Sequence, residues 1–222
     1  MWALVPIKRL DLAKGRLADV LGPDQRRALV QAMATDVLEG LAACPGLERL
    51  LVVTEAPEVG DLARRTGAEL MADPGQGLNA AVQAGANHAQ AGGASSLLVV
   101  HGDLPLASAA AFARILAVHE GPAAVTIVPD GRHDGSNCMA LSPADAIPFS
   151  YGRHSFDKHR RAAMERGLNF RCLEIPELAL DIDSPTDLQL LLDGNHHSRA
   201  VAFLRNSGIA SRIAPPPATA SC

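Results

Sequence analysis

Short apolar runs alternate with stretches of helical spacing from residue 3 to residue 128, and nothing else in the sequence restricts the fold as much. Residues 3–7, 50–54, 69–72, 96–100 and 123–128 read as strands. Residues 25–42, 58–66, 78–91 and 109–118, lying between them, read as helices. In the first helix Leu29, Met33, Val37 and Leu41 follow near-helical spacing, with Pro23 and Asp24 opening it and Pro45-Gly46 closing it. Strands that alternate with helices predict an α/β domain with a mostly parallel central sheet flanked by helices. In such sheets ligands bind at the carboxyl ends of the strands.

The rhythm changes after Pro129. The run Asp130 to Gly135 is rich in turn formers. Strands are expected at 138–141, 170–175 and 178–182, with helices at 155–166 and 197–205. Ser184-Pro185-Thr186-Asp187 is a strong helix start, with Ser as N-cap, Pro in the first turn and Asp three residues on. The Pro-rich segment 207–222 reads as a disordered tail, which leaves one domain over 1–206.

Composition removes several classes of function. The 222 residues can bury a sizeable core, and 48% of them are apolar. Aromatics are 3% and the formal net charge is -4, which argues against nucleic-acid and membrane-surface binding. No apolar stretch reaches the roughly 18 residues of a membrane span, and the N-terminus lacks the pattern of a signal peptide, so a cytoplasmic protein is expected. Cys44, Cys138, Cys172 and Cys222 show no zinc-finger or C-x-x-C spacing; the first three read as buried thiols and Cys222 as a tail residue.

The chemistry-bearing segments follow the predicted strands. Lys8, Arg9, Lys14 and Arg16 come after the first strand, where cations could neutralise a polyphosphate; a solvated surface loop is the plainer alternative. The scarcity of lysine elsewhere (Lys158 is the third and last) favours a role. Asp103 follows the fourth strand beside Gly102 and could hold Mg²⁺ or simply make a turn. Asp181 and Asp183, two apart, would share one face of a strand, where their mutual repulsion calls for a cation or full solvation. Asp187 is explained by the helix cap. Ser136 and the Gly152–Ser155 turn carry small hydroxyl groups, and Ser155 lies near a helix start that would attract phosphate. The P-loop and the G-x-G-x-x-G fingerprint are both absent.

Taken in order, VPIKRLDLAKGRL (5–17), GLNAAV (77–82), HGDLPL (101–106), DGSN (134–137), YGRHSFDKH (151–159) and LDIDSPTDL (180–188) resemble one family. It is the 2-phospho-L-lactate guanylyltransferase family of deazaflavin coenzyme biosynthesis, whose members are single-domain GT-A-like, Rossmann-type nucleotidyltransferases. Gly15 departs from the small hydroxyl residue expected there. The resemblance implies transfer of GMP from GTP to a three-carbon phospho-acid (2-phospho-L-lactate, phosphoenolpyruvate or 3-phospho-D-glycerate). Pyrophosphate is released and the product passes to the next enzyme. It further implies Mg²⁺ held by Asp103, Asp181 and Asp183, and a triphosphate held by Lys8, Lys14 and Arg16. Asp103, Lys14 and Arg16 would be the catalytic groups. Gly77, Leu78, Asn79 and Ala80 would lie near guanine and ribose, and Ser136, Gly152 and Ser155 would hold the acceptor. Rival readings are another nucleotidyltransferase of the same fold, a sugar transferase using Asp181-Ile182-Asp183, or a non-catalytic nucleotide-binding protein. Oligomeric state stays open, a homodimer being one option.

Overall fold

The first strand shows how the sheet is built. In β1 (Trp2–Ile7), Ala3, Val5 and Ile7 enter one hydrophobic cluster while Trp2 and Leu4 enter another on the opposite face. β2 (Arg49–Thr54) and β4 (Leu97–Val100) split the same way: Leu50, Val52, Leu98 and Val100 face one side, Leu51, Val53, Leu97 and Val99 the other. A continuous apolar run is therefore a strand buried on both faces, which is what a helix-flanked sheet requires. The computed structural model describes residues 1–8, 14–210 and 212–213; Arg9 and Cys222 lie outside them.

Seven strands form one sheet in the order β3-β2-β1-β4-β6-β5-β7. β3 is Glu69–Met71, β5 Ala124–Pro129, β6 Ser136–Ser142 and β7 Asn169–Cys172. β1 pairs in parallel with β2 and β4, as do β2 with β3 and β5 with β7; β6 runs antiparallel between β4 and β5. The sheet is thus mostly parallel, as expected. Helices α1 (Pro23–Ala42), α2 (Pro57–Arg65), α3 (Leu78–Ala91), α4 (Ala109–Val118) and α5 (Ser155–Glu165) follow the predicted ones within two residues at either end.

Two expectations are corrected in the last third. Residues 178–182 are not a strand: Pro176–Ala179 form the short helix α6, and the chain then runs irregularly to Ser184. Pro176 opens a helical turn more readily than it joins a ladder. Order also continues beyond Asn206, the end of α8 (Arg199–Asn206), because Ile209 and Ile213 are buried in the core. Polar composition around residue 207 hides these two isoleucines; residues 211 and 214–222 lie outside the described ones. Buried Asp36 of α1 anchors α8 by accepting from Arg199 N (3.1 Å) and Ala200 N (3.4 Å), at the helix end that favours a negative charge. No helix among the described residues is long and apolar enough to cross a membrane.

Candidate active site

A cleft of about 900 Å³ opens where β1, β4 and the turn after β5 end, lined by Lys8, Lys14 and Arg16 on one side and Gly152, Arg153 and Ser155 on another. Asp103, Asp181 and Asp183 also line it. These carboxylates come from positions far apart in sequence. Asp103 follows β4 across the 101–103 turn, which lies close on β1: a Cβ at Gly102 would stand 3.0 Å from Ile7 Cγ1. Asp181 and Asp183 flank fully buried Ile182, so the two-residue alternation expected of a strand survives in an irregular segment because Ile182 is anchored in the core. Asp187, the first-turn acid of α7 (Pro185–Asp193), takes up its expected capping role. Its Oδ2 accepts from Ser184 N at 2.7 Å and Asp183 N at 3.0 Å, which fixes the backbone that carries Asp183.

Lys14 sits among the carboxylates rather than facing open cleft. Its Nζ donates to Asp103 Oδ2 at 2.5 Å and Asp183 Oδ1 at 2.8 Å. The backbone of Lys14 is left-handed (φ 59°), a conformation costly for a side chain with a Cβ, and it aims the lysine inward. Burial alone would lower its pKa, but the Asp103 and Asp183 charges more than reverse this, so Lys14 stays an ammonium. Burial pushes Asp103 up, yet Lys14 and then His101 hold its carboxyl below the usual range. Asp181 is less compensated: burial, followed by repulsion from Asp103 and Asp183, pushes it up to about 6 against a smaller pull from Lys14.

Four buried side-chain polar atoms lack a partner among the described residues, and three of them, His101 Nε2, Asp103 Oδ1 and Tyr151 OH, belong to residues lining this cleft. Unsatisfied buried groups cost about 1–3 kcal/mol each, so their concentration here suits a polar ligand. A cation suits the carboxylates in the same way. Asp103 Oδ1 has a lone pair with no protein donor, and Asp181 is repelled by the other two charges.

Several expected contact residues serve the cleft indirectly. Ser136 is fully buried and is not among the residues lining the cleft; its Oγ pairs with His159 Nδ1 at 3.0 Å. Asn79 is a clamp: its Oδ1 accepts from Tyr151 N at 2.7 Å and its Nδ2 donates to Tyr151 O at 3.2 Å. Both ends of this amide are used on the backbone, which places Asn79 behind the 151–155 turn rather than on a ribose. Leu78 lines the cleft; Gly77 and Ala80 lie beside it at the start of α3 and are not among its lining residues. Gly152 has φ +113°, a backbone that only glycine adopts without strain. Around the start of α5, Ser155 N donates to Gly152 O and Phe156 N to Asp134 O, so two N–H groups expected to face an anion are already used.

Sequence reasoning assigned no role to His101, Tyr151, Arg153 or Asn137, all of which line the cleft. The signal for Tyr151 was its rarity: it is the single tyrosine of the chain. Its ring lies 5.2 Å from His101 and 4.9 Å from His159.

His159 yields a pH prediction. Its Nε2 accepts from Ser150 N at 2.9 Å, so the ring proton resides on Nδ1 and points at Ser136 Oγ. Burial, then His101 and Lys158, push its pKa down to about 4, below the unfolded value near 6.5. The unfolded chain therefore binds more protons in that window. Stability is expected to fall by on the order of 3 kcal/mol as pH drops from about 6.5 to 4. Denaturant unfolding checks it: His159→Gln should flatten this slope, and an unchanged slope would assign the titration elsewhere. For Asn79→Asp, which turns a carboxylate toward Tyr151 O, the KM for the acceptor is expected to rise about tenfold with kcat nearly unchanged, the effect of roughly one lost hydrogen bond. Steady-state kinetics measures both.

Comparison with known proteins places the chain. The chain is 44% identical over 192 residues to the phosphoenolpyruvate guanylyltransferase of Rubrobacter xylanophilus, covering 86% of this chain and 93% of that protein. It is 33% identical over 188 residues to the 3-phospho-D-glycerate guanylyltransferase of Colwellia psychrerythraea, covering 85% and 89%. Among solved structures, a nucleotidyl transferase from Methanothermobacter shares the fold with a TM-score of 0.61 at 21% identity, over 92% of this chain and 97% of the other. A Desulfovibrio desulfuricans protein assigned to the nucleotide-diphospho-sugar transferases superposes with a TM-score of 0.72 at 19% identity, over 95% and 96%. The family model described as "Guanylyl transferase CofC like" matches residues 1–219, and with these relatives it shows that the chain belongs to that family.

Proposed function

We propose that the chain transfers GMP from GTP to a three-carbon phospho-acid with release of pyrophosphate, in deazaflavin coenzyme biosynthesis. Phosphoenolpyruvate is the first candidate acceptor, because relatives at 44% and 40% identity carry its name. The observation that carries the reading is the meeting of Asp103, Asp181 and Asp183 with Lys14 in one cleft at the strand ends. Cys44 and Cys138 are buried free thiols, as expected, and fit a reducing cytoplasm; Cys172 is exposed instead, at the end of an edge strand.

In this mechanism an oxygen of the acceptor's phosphate bonds to the α-phosphorus of GTP as the bond to the β-phosphate oxygen breaks. A phosphate monoester is largely a dianion at neutral pH, so no side chain needs to take a proton from it. The protein's task is to bring polyanions together. Lys8, Arg16 and Arg153 line the cleft and neutralise the triphosphate. Lys14 exchanges its carboxylate partners for phosphate oxygens. Gly152 and Ser155 hold the acceptor on the turn that Asn79 and His159 fix from behind. Asp103, Asp181 and Asp183 would hold Mg²⁺, which supplies charge neutralisation and in-line orientation when bound.

Pyrophosphate release tests the proposal. Purified protein receives GTP, Mg²⁺ and each of the three phospho-acids in turn, with ATP and CTP as controls. Release with GTP and one acid is expected. Release with CTP instead, or no release with any nucleotide and acid in a folded sample, would overturn it.

A further inference from the structure

Among the described residues, His133, Cys172 and Glu174 each bring one ligand-type atom to within 4.8 Å of the others. Two separate segments supply them, the turn after β5 and the end of the edge strand β7. We propose that these three side chains bind a thiophilic divalent cation of the zinc class, at a site separate from the aspartates of the cleft.

The distances match the chemistry. With Zn–N and Zn–O near 2.0 Å and Zn–S near 2.3 Å, a tetrahedral ion holds N and O about 3.3 Å apart and S and O about 3.5 Å apart. Here His133 Nε2 stands 3.1 Å from Glu174 Oε1, and Cys172 Sγ stands 3.8 Å from the same oxygen. These two pairs come within a few tenths of an ångström of the ideal spacing; the imidazole and the thiol, less than 4.8 Å apart, close on the ion by rotation of their exposed side chains, with water completing the fourth position. A thiolate with an imidazole selects zinc-class ions over Mg²⁺, which prefers oxygen donors.

Both segments are held in place. Leu173 N donates to Ile127 O at 2.8 Å, pinning the backbone between Cys172 and Glu174 to the sheet. His133 is left-handed (φ 57°), its N–H donates to Asp130 O at 3.0 Å, and its ring meets the edge of Phe156 at 5.5 Å. Asp130 Oδ1 accepts from Arg132 N and Asp134 N, which closes the turn. All three ligand side chains are exposed, so an ion can enter and the Cys172 thiol proton can leave to solvent. Asp130, Asp134 and Gly135 of this turn line the cleft, so the ion braces one cleft wall to β7.

Cobalt titration of the full chain tests the site. Co²⁺ should give a thiolate-to-cobalt charge-transfer band at one equivalent, abolished by Zn²⁺ and insensitive to Mg²⁺. Cys172→Ser should remove the band. His133→Ala and Glu174→Gln should weaken binding by more than the roughly 10–100-fold typical of losing an outer partner. Asp103→Asn should leave the band intact. Absence of the band in the parent protein, or its persistence in Cys172→Ser at unchanged thermal stability, would overturn the proposal.

Discussion

Replacing Lys14 with methionine is expected to destabilise the Mg²⁺-free protein by about 3 kcal/mol, because removing one partner of a buried ion pair leaves the other charge uncompensated. Asp103 is that charge: among the described residues the Lys14 ammonium is the cation its Oδ2 meets, and its Oδ1 lacks a side-chain hydrogen-bond partner. Asp183 is 54% exposed on its side chain and loses little, since water replaces the ammonium. The double variant Lys14→Met/Asp103→Asn should recover most of the loss, because it buries no unpaired charge. The pH dependence carries its own sign. Lys14 holds the Asp103 carboxyl below the unfolded value near 3.9, so this stabilisation is complete above that pH and fades as pH falls through the lower folded value. The gap between Lys14→Met and the parent should therefore narrow in acid. Urea unfolding of the three proteins at neutral and acid pH measures it, and a double variant no more stable than the single would remove the ion pair from the account.

The same pair marks what a sequence can and cannot display. β1, β2 and β4 were legible because burial on both faces writes an unbroken apolar run, and α1 because its apolar face repeats at helical spacing. The insertion of β6 antiparallel between β4 and β5 is not written locally, since any strand of that composition could occupy either direction. Asp103, Asp181 and Asp183 were legible as types at strand ends. That Lys14 lies between Asp103 and Asp183 was not, because the contact spans 89 and 169 residues and turns on one left-handed backbone. The internal pairings of Ser136 and Asn79 are illegible for a related reason. A hydroxyl and an amide serve a substrate or a neighbouring backbone equally well, and only the fold decides that Asn79 meets both polar groups of Tyr151.

Asp103→Asn and Asp183→Asn are each expected to lower turnover by about a thousandfold or more. The substitutions keep shape and remove charge, so they isolate electrostatics. Charge stabilisation by a bound divalent ion is worth several kcal/mol, and each 1.36 kcal/mol is tenfold in rate. The cost to folding should be small in both. In Asp103→Asn the ammonium of Lys14 keeps Asp183, and in Asp183→Asn it keeps Asp103. This separates the aspartates from Lys14, whose loss strands a buried charge. Single-turnover pyrophosphate release at rising Mg²⁺ resolves the effect further. Partial recovery at high Mg²⁺ would locate the loss in ion affinity, whereas a deficit that persists at saturation would place the carboxylate in orienting the reacting groups. Activity within a few-fold of the parent would take that aspartate out of the reaction and leave it the role of pairing with Lys14.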